Sequence, residues 1–347
     1  MLSLCMIVKN EEKNLRRCLS KVVGFIEDII IVDTGSIDKT KTIAAEFTDK
    51  IYDFKWCSDF SKARNFSISK ALNDWVLILD ADEFILNFSR EKINEFINEP
   101  LNRNNVGRIE RINIMGDSGA DKKYVERINR LFNKNYFQYS GSIHEQITDL
   151  EGNNYKSDNV SVTVEHIGYT YEVLNRTDKI KRNICMLMDA VKKDKEDPYI
   201  YYQLGKSYYM GKDYENSCVY FEKALTFELD SRLEYVEDLI ETYGYSLINN
   251  CRYSDALILE NYLEIYSNSS DFYFLMGLIH MNNGNFMKAI EMFLKCTNFS
   301  ECKVGGITTY KSFYNIGIIY DVLGFREKAI GYYRMCGEYE PAKKRLD

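Results

Sequence analysis

Residues 75–83 read WVLILDADE, an apolar run that ends directly in two aspartates separated by one alanine. A short apolar run bounded by polar residues predicts a buried β-strand. Ligands of open α/β sheets bind at the carboxyl ends of strands, so Asp80 and Asp82 are candidate site residues. Two carboxylates held this close favour a divalent cation between them. The alternative is a pair of capping or solvated aspartates in a turn.

The segments before this run alternate in the same way. Apolar runs predict strands at 2–8, 29–32 and 51–54, and three-four spacing of apolar residues predicts helices at 15–23, 36–47 and 60–72. We expect the helix at 36–47 to be capped by Ser36 or Asp38. Strands and helices that alternate at this interval predict a parallel, doubly wound sheet.

The pattern changes after residue 105. Further strands are predicted at 106–115, 122–132, 142–147 and 160–166. We expect them to form an antiparallel extension of the sheet that carries the acceptor side of a site.

From residue 178 onward the sequence is helical and repeats itself. Gly205, Gly277 and Gly317 are each followed 16 residues later by an aromatic residue and 12 residues later by alanine or serine, with a weaker copy around Gly244 and Ala256. This spacing resembles the tetratricopeptide repeat. The resemblance implies paired helices in which small residues allow close approach and aromatic side chains fill the space between neighbouring repeats.

Composition excludes several classes of protein. The 347 residues carry 45 Lys and Arg against 52 Asp and Glu, a net charge of −7, which argues against a nucleic-acid binder. No apolar stretch reaches the length of a membrane span, and the N-terminus lacks the basic segment of a signal peptide. Nine cysteines without a C-x-x-C pair predict free thiols in a reducing cytoplasm.

The motifs of several nucleotide-binding and hydrolytic sites are absent from the sequence. Lys9-Asn10-Glu11-Glu12 follows the first strand where a dinucleotide-binding fold has G-x-G-x-x-G. The chain also lacks a G-x-x-x-x-G-K-[ST] phosphate loop and a G-x-S-x-G nucleophile elbow.

Other candidate residues lie at or near predicted strand ends beside the aspartate pair. Val8, Asn10 and Glu11 follow or end the first strand, and Asp33 ends the second. Arg64 lies in the helix before the fourth strand and is suited to a diphosphate or to holding Asp33 or Asp80 in place. Each residue alone is more often a cap or a surface group; their common edge is what favours a site.

Four stretches in this order resemble the nucleotide-sugar domain of family 2 glycosyltransferases of GT-A fold. They are residues 6–12 (MIVKNEE), 31–40 (IVDTGSIDKT), 59–65 (DFSKARN) and 79–83 (LDADE). Together with the repeats, the chain resembles bacterial glycosyltransferases that modify proteins and peptides, such as flagellin O-linked N-acetylglucosamine transferases and bacteriocin S-glycosyltransferases. The resemblance implies a GT-A domain at 1–170, a linker helix at 171–197 and about four repeats at 198–347.

The resemblance also implies a role for each candidate. Nucleotide-sugar contacts fall on Val8, Asn10, Glu11, Asp33, Asp59, Arg64, Asp80 and Ala81, with Asp33 reading the uracil of a UDP-sugar. Asp82 and His166 are the implied ligands of Mn²⁺ or Mg²⁺. A histidine in a strand is otherwise a structural residue.

An inverting displacement needs a general base near the acceptor. Our candidate is Glu145, in a His-Glu stretch similar to that of the family, and Asp117, in a glycine-rich turn, is the competing candidate. Arg127 and Arg130 line the diphosphate side in one interpretation and a solvated face in the other.

We therefore expect a metal-dependent transfer of a sugar, GlcNAc or else glucose, from a UDP-sugar to Ser or Thr of a protein such as flagellin, held by the repeats. Transfer to a peptide cysteine or to a cell-surface glycan is the alternative within the same chemistry. A scaffold without catalysis is the alternative of another class. The repeats also offer a surface for a homodimer.

Overall fold

The computed structural model describes residues 1–115, 122–169 and 179–346. The chain divides into two compact units, Met1–Lys179 and Ile180–Asp347. The segment predicted as a linker, 171–197, contains a helix at Lys179–Lys193 whose residues from Ile180 onward belong to the second unit.

The first unit is built on a sheet of eight strands. Its strands are β1 (Leu2–Val8), β2 (Asp28–Asp33), β3 (Ile51–Asp53), β4 (Trp75–Ile78), β5 (Glu83–Phe88), β6 (Asn105–Met115), β7 (Lys122–Asn133) and β10 (Lys156–Tyr169), and a separate hairpin is formed by β8 (Phe137–Ser140) and β9 (Gln146–Asp149). The order across the sheet is β3-β2-β1-β4-β7-β6-β10-β5.

The predicted parallel sheet is therefore only half of the observed one. Strands β1 to β4 run parallel, whereas β7 is antiparallel to both β4 and β6. Strand β10 then runs parallel to β6 and antiparallel to β5. The result is a mixed, Rossmann-like sheet, because the extension after residue 105 contains one parallel pair as well as antiparallel ones.

Helices cover the sheet of the first unit. They are α1 (Leu15–Val22), α2 (Thr40–Ala44), α3 (Phe60–Ser69) and α4 (Arg90–Asn98), followed by a 3₁₀ turn at Pro100–Asn104. Leu4 and Met6 of β1 pack in one core with Leu15 and Leu19 of α1. Alternate residues such as Cys5 point to the other face, into a second core. Burial on both faces explains why β1 and β2 are continuous apolar runs.

Two predicted elements differ most from the observed bounds, and three elements of the first unit were missed. The helix predicted at 36–47 is only Thr40–Ala44, and neither Ser36 nor Asp38 is its N-cap residue. The predicted strand 142–147 is largely a turn between β8 and β9, where Gly141 and His144 have φ values of 96° and 49°. Strands β5 and β8 and helix α4 were not predicted.

The regular elements that the structure describes in the second unit are all helices. Its helices are α5 (Lys179–Lys193), α6 (Pro198–Met210), α7 (Tyr214–Ala224), α8 (Glu234–Asn249), α9 (Tyr253–Ala256), α10 (Ser270–Asn282), α11 (Phe286–Cys296), α12 (Tyr310–Val322), α13 (Arg326–Met335) and α14 (Glu340–Lys343), with a 3₁₀ turn at Leu257–Tyr262.

The repeat glycines lie where paired helices touch. A Cβ atom on Gly277 would lie 2.5 Å from the ring of Phe293, and one on Gly317 would lie 2.5 Å from Tyr333. Gly205 stands in the same relation to Phe221, at 2.7 Å. The spacing of 16 residues thus places each aromatic ring against the glycine of its own repeat. The close approach of paired helices was predicted, whereas the rings were expected between neighbouring repeats. In the weaker copy, leucine side chains replace the ring against Gly244.

In the parts of the chain that the structure describes, no helix is both long enough and apolar enough to cross a membrane.

Candidate active site

The loops that follow β1 and β2 are joined to each other at the carboxyl edge of the sheet. Asn10 donates its N–H to Ser36 Oγ (2.9 Å) and accepts the N–H of Ile37 on Oδ1 (2.9 Å). Glu11 donates its N–H to Thr40 Oγ1 (2.7 Å). Asn10 has a φ of 56°, a conformation that asparagine tolerates better than most residues. These contacts use residues 36–39 as loop, which explains why α2 begins only at Thr40.

Asp33 ends β2 with one oxygen bonded and the other unpaired. Oδ2 accepts the N–H groups of Gly35 (3.0 Å) and Ser36 (2.9 Å). Oδ1 is buried and has no hydrogen-bond partner among the described residues. An unsatisfied buried acceptor costs about 1–3 kcal/mol. Asp33 is therefore suited to accept an N–H from a ligand. The carbonyl of Val8 is already taken by the N–H of Thr34 (2.9 Å).

The segment 59–65 fixes helix α3 and the hairpin beside it. Asp59 is the N-cap residue of α3 and accepts the N–H of Lys62 (3.0 Å) and the hydroxyl of Ser61 (2.8 Å). Burial raises the pKa of Asp59, but these hydrogen bonds outweigh it and lower the pKa below its usual value. Asn65 exchanges two hydrogen bonds with the backbone of Tyr139, at 2.8 and 2.9 Å. Asp59 and Asn65 of this motif are thus explained by the contacts that hold helix α3 and the hairpin.

Arg64 brings Asp80 and Glu145 together. Its Nε donates to Glu145 Oε1 (2.5 Å) and its Nη2 donates to Asp80 Oδ1 (2.9 Å). The arginine is 6% exposed, and its Nη1 is buried with no partner among the described residues. The alternative in which Arg64 holds Asp80 in place is the one observed.

Both oxygens of Asp80 are held by arginines, since Arg130 Nη2 donates to Oδ2 (2.8 Å). Burial raises the pKa of Asp80, but the charges of Arg64 and Arg130 outweigh it and keep the pKa well below its usual value. Asp80 is therefore ionised and fixed in position. Arg130 is itself 7% exposed, so the solvated face predicted as its alternative is excluded.

Glu83 completes the arrangement and was not predicted. It is fully buried, and its Oε1 accepts from Arg111 (3.1 Å) and Arg130 (3.0 Å) while its Oε2 accepts the N–H of Asp80 (3.0 Å). The side chain therefore fixes the turn that carries Asp80 and Asp82. Its place directly after the D-x-D triplet was a signal, but the two arginines come from strands whose register the sequence does not reveal.

Asp82 faces His166. Asp82 Oδ2 lies 3.4 Å from His166 Nε2, and His166 Nδ1 lies 2.6 Å from Asn113 Oδ1. Asn113 Nδ2 donates to Glu126 (2.5 Å), so its oxygen accepts and His166 carries its proton on Nδ1. Nε2 is the ring nitrogen on the side of Asp82. In the sheet, His166 is opposite Glu83 on β5 and Asn113 on β6.

The predicted metal ligands fit a cation only as a pair. Among the described residues, no group of three or more His, Cys, Asp or Glu side chains could hold a metal ion. A carboxylate beside a histidine fixed as its Nδ1–H tautomer is nevertheless a suitable donor pair. Mg²⁺ and similar ions are commonly held by one or two protein ligands, with substrate phosphates and water completing the shell.

Three predicted residues remain to be placed, namely Ala81, Arg127 and Asp117. Ala81 is buried between the two aspartates, and Arg127 is exposed and paired with Glu110. Asp117, the competing base, lies outside the described residues. Tyr139, Asn113 and Arg111 border the site and were not predicted.

Family models match both parts of the chain. Residues 3–157 match Glycosyl transferase family 2. Residues 198–230 and 270–301 match the tetratricopeptide repeat.

Curated relatives carry one or the other of these features in their names. A TPR repeat-containing protein of Synechococcus elongatus is 30% identical over 58% of this chain and 51% of its own length. The SPbeta prophage-derived glycosyltransferase SunS of Bacillus subtilis is 26% identical over 63% of this chain and 52% of its own. The chain thus spans about half the length of the curated relatives it matches.

Among solved structures, a similar one is YrrB, described as a TPR protein with an unusual peptide-binding site. It is 22% identical, with a TM-score of 0.41 over 50% of this chain and 85% of its own.

Proposed function

We propose that this chain, which joins a glycosyl transferase family 2 domain to tetratricopeptide repeats, transfers a sugar from a UDP-sugar to a protein or peptide. The observation that carries the proposal is the contact of Arg64 with both Asp80 and Glu145 at the carboxyl edge of the sheet. It joins the aspartate pair to a carboxylate from the turn between β8 and β9, as a donor site beside a general base requires.

The donor site in this proposal begins at Asp33. Its unpaired Oδ1 accepts the N–H of the uracil ring, and the loop of Asn10 and Glu11 borders the nucleoside. Asp80 and Ala81 lie toward the ribose and the sugar. Asp59 serves the site through helix α3, which it caps.

Asp82 and His166 are the residues that would hold Mn²⁺ or Mg²⁺. Such an ion would neutralise the negative charge that develops on the leaving diphosphate. Asn113 keeps His166 in the tautomer that this role requires.

Glu145 acts as the general base. The acceptor oxygen forms a bond to the anomeric carbon while the bond from that carbon to the diphosphate oxygen breaks, and UDP leaves with the electron pair. The acceptor proton passes to the Glu145 carboxylate, which Arg64 orients from one side. The anomeric configuration is inverted because there is a single displacement.

The repeats supply the acceptor-binding surface. Stacked helix pairs of this kind present a long concave surface that suits an extended peptide. We favour Ser or Thr of a flagellin-like protein as acceptor and GlcNAc as the sugar, with a peptide cysteine as the alternative and a homodimer through the repeats as a further use of the same helices. The reaction takes place in the cytoplasm.

The test is release of UDP from a panel of UDP-sugars by the full chain with Mn²⁺, together with calorimetric titration of UDP. We expect one donor to be hydrolysed slowly, with at least about 100-fold loss in Asp82→Asn and complete loss with EDTA. Asp74→Asn is the matched control, because Asp74 is an exposed carboxylate at the opposite end of β4. A wild-type chain that binds no UDP would contradict the proposal.

A further inference from the structure

Tyr139 on strand β8 has a hydroxyl that packing does not explain. The residue is 5% exposed, and its ring packs against Phe132 at 5.7 Å between centroids. A phenylalanine would make the same contact. The hydroxyl is buried and has no hydrogen-bond partner among the described residues, although buried tyrosine hydroxyls usually have one.

The hydroxyl lies in the charged part of the candidate active site. The charged groups that act on it are Arg130, Arg64, Glu145 and Asp80, and burial is the main cause of its raised pKa. The guanidinium of Arg64 lies over the Tyr139 ring, 5.5 Å from its centroid. Arg64 Nη1 is the second buried donor here without a partner among the described residues. Two unsatisfied donors in one site point to an oxygen that arrives with a ligand.

We propose that Tyr139 Oη and Arg64 Nη1 bind a hydroxyl of the transferred sugar, so that Tyr139 determines which sugar the enzyme accepts. The inference rests on the proposed function and deepens it. Neither residue's unpaired atom is needed for the steps given to Asp82 or Glu145.

Charge favours a sugar hydroxyl over a phosphate oxygen. Three arginines, Arg64, Arg111 and Arg130, are already paired with four carboxylates. These are Asp80, Glu83, Glu126 and Glu145, so the cluster has one more negative than positive group. An anion added here would be repelled, whereas a neutral hydroxyl can accept from Arg64 or Tyr139 and donate to a carboxylate. Both donor atoms are covered, so a small side-chain shift must accompany binding.

The experiment compares Tyr139→Phe with wild type on the preferred UDP-sugar and on its single-deoxy analogues. We expect kcat/KM for the preferred donor to fall roughly 10- to 100-fold, the loss of one or two hydrogen bonds to a partly charged site. On the analogue that lacks the recognised hydroxyl, Tyr139→Phe should cost less than twofold. That non-additivity identifies the position on the sugar.

Tyr155→Phe is the matched control. Tyr155 is another tyrosine of this unit whose ring packs against a phenylalanine, Phe137, but its hydroxyl donates to the carbonyl of Ile147 (2.8 Å). Its loss should lower stability without changing the ratio of kcat/KM between donors.

Titration with UDP alone separates a sugar oxygen from a phosphate oxygen. We expect Tyr139→Phe to bind UDP within twofold of wild type, and a larger loss would assign the hydroxyl to the diphosphate and overturn the proposal. An equal loss of kcat/KM on every deoxy donor would also overturn it, since a buried water or simple packing would then account for the hydroxyl. If wild type neither binds UDP nor hydrolyses any UDP-sugar, the proposed function itself fails.

Discussion

The two units of this chain bury different things at their centres. At the carboxyl edge of the sheet, three arginines and several carboxylates are paired within a few ångströms, with Arg64, Arg130 and Glu83 almost wholly buried. In the repeats, the corresponding contacts are between a glycine and an aromatic ring. Burying charges costs more than burying rings, so the first arrangement points to chemistry and the second to packing.

The largest effect is expected from removing one arginine of the sheet unit. Arg130→Met leaves Asp80 and Glu83 with fewer positive partners in a buried site, and we expect the free energy of unfolding to fall by about 3–5 kcal/mol. Chemical denaturation measures this change.

Arg127→Met is the control for that variant. Arg127 lies on the same strand but forms an exposed pair with Glu110, worth less than about 1 kcal/mol. Equal losses in the free energy of unfolding would show that the buried ion pairs contribute no more to stability than the exposed one. Buried charge would then not distinguish this unit from the repeats.

The repeat unit also buries an ionisable side chain, that of Glu241. Burial raises its pKa to about 8, with Lys303 opposing and Asp271, Glu237 and Asp238 adding to the rise. A carboxyl whose pKa is higher in the folded than in the unfolded chain stabilises the fold below about pH 4.5. That stability is lost as the pH rises toward 8.

We therefore expect wild type to lose on the order of 3 kcal/mol of stability between pH 5 and 8 through this group, and Glu241→Gln to lose much less. Denaturant unfolding of the two proteins across this range is the measurement. Parallel pH profiles would show that Lys303, 3.1 Å from the carboxylate, already keeps Glu241 ionised.

The smallest effect is expected where a glycine packs against an aromatic ring in the repeats. In Gly277→Ala the new methyl group would lie 2.5 Å from Phe293, and we expect a loss of about 1–3 kcal/mol. Gly331→Ala is the control, because that helical glycine has no atom within 4 Å of the added Cβ and alanine favours a helix by about 1 kcal/mol. Thermal unfolding should shift in opposite directions. A tolerated Gly277→Ala would mean that the helix pair is not closely packed.

Much of the architecture could be predicted because its signals are local. The apolar runs at β1, β2 and β4 and the glycine–aromatic spacing of the repeats depend on residues close in the chain. The predicted start of α2 was wrong because residues 36–39 form hydrogen bonds with the loop of Asn10 and do not extend the helix. The turn at Gly141 and His144 was missed because positive φ values are not visible in an apolar pattern.

Local sequence patterns predict the strand that ends in Asp80 and Asp82, the order of the four motifs and the helix pairs of the repeats. Which side chains contact the two aspartates depends on the tertiary structure. Strand order and register bring Glu83, Asn113 and His166 side by side across three strands, and place Arg130 on Asp80. Strand pairing depends on contacts far apart in the chain, and one residue of register turns a side chain to the opposite face. For that reason the partners of the aspartates could not be read from the sequence, although the aspartates could.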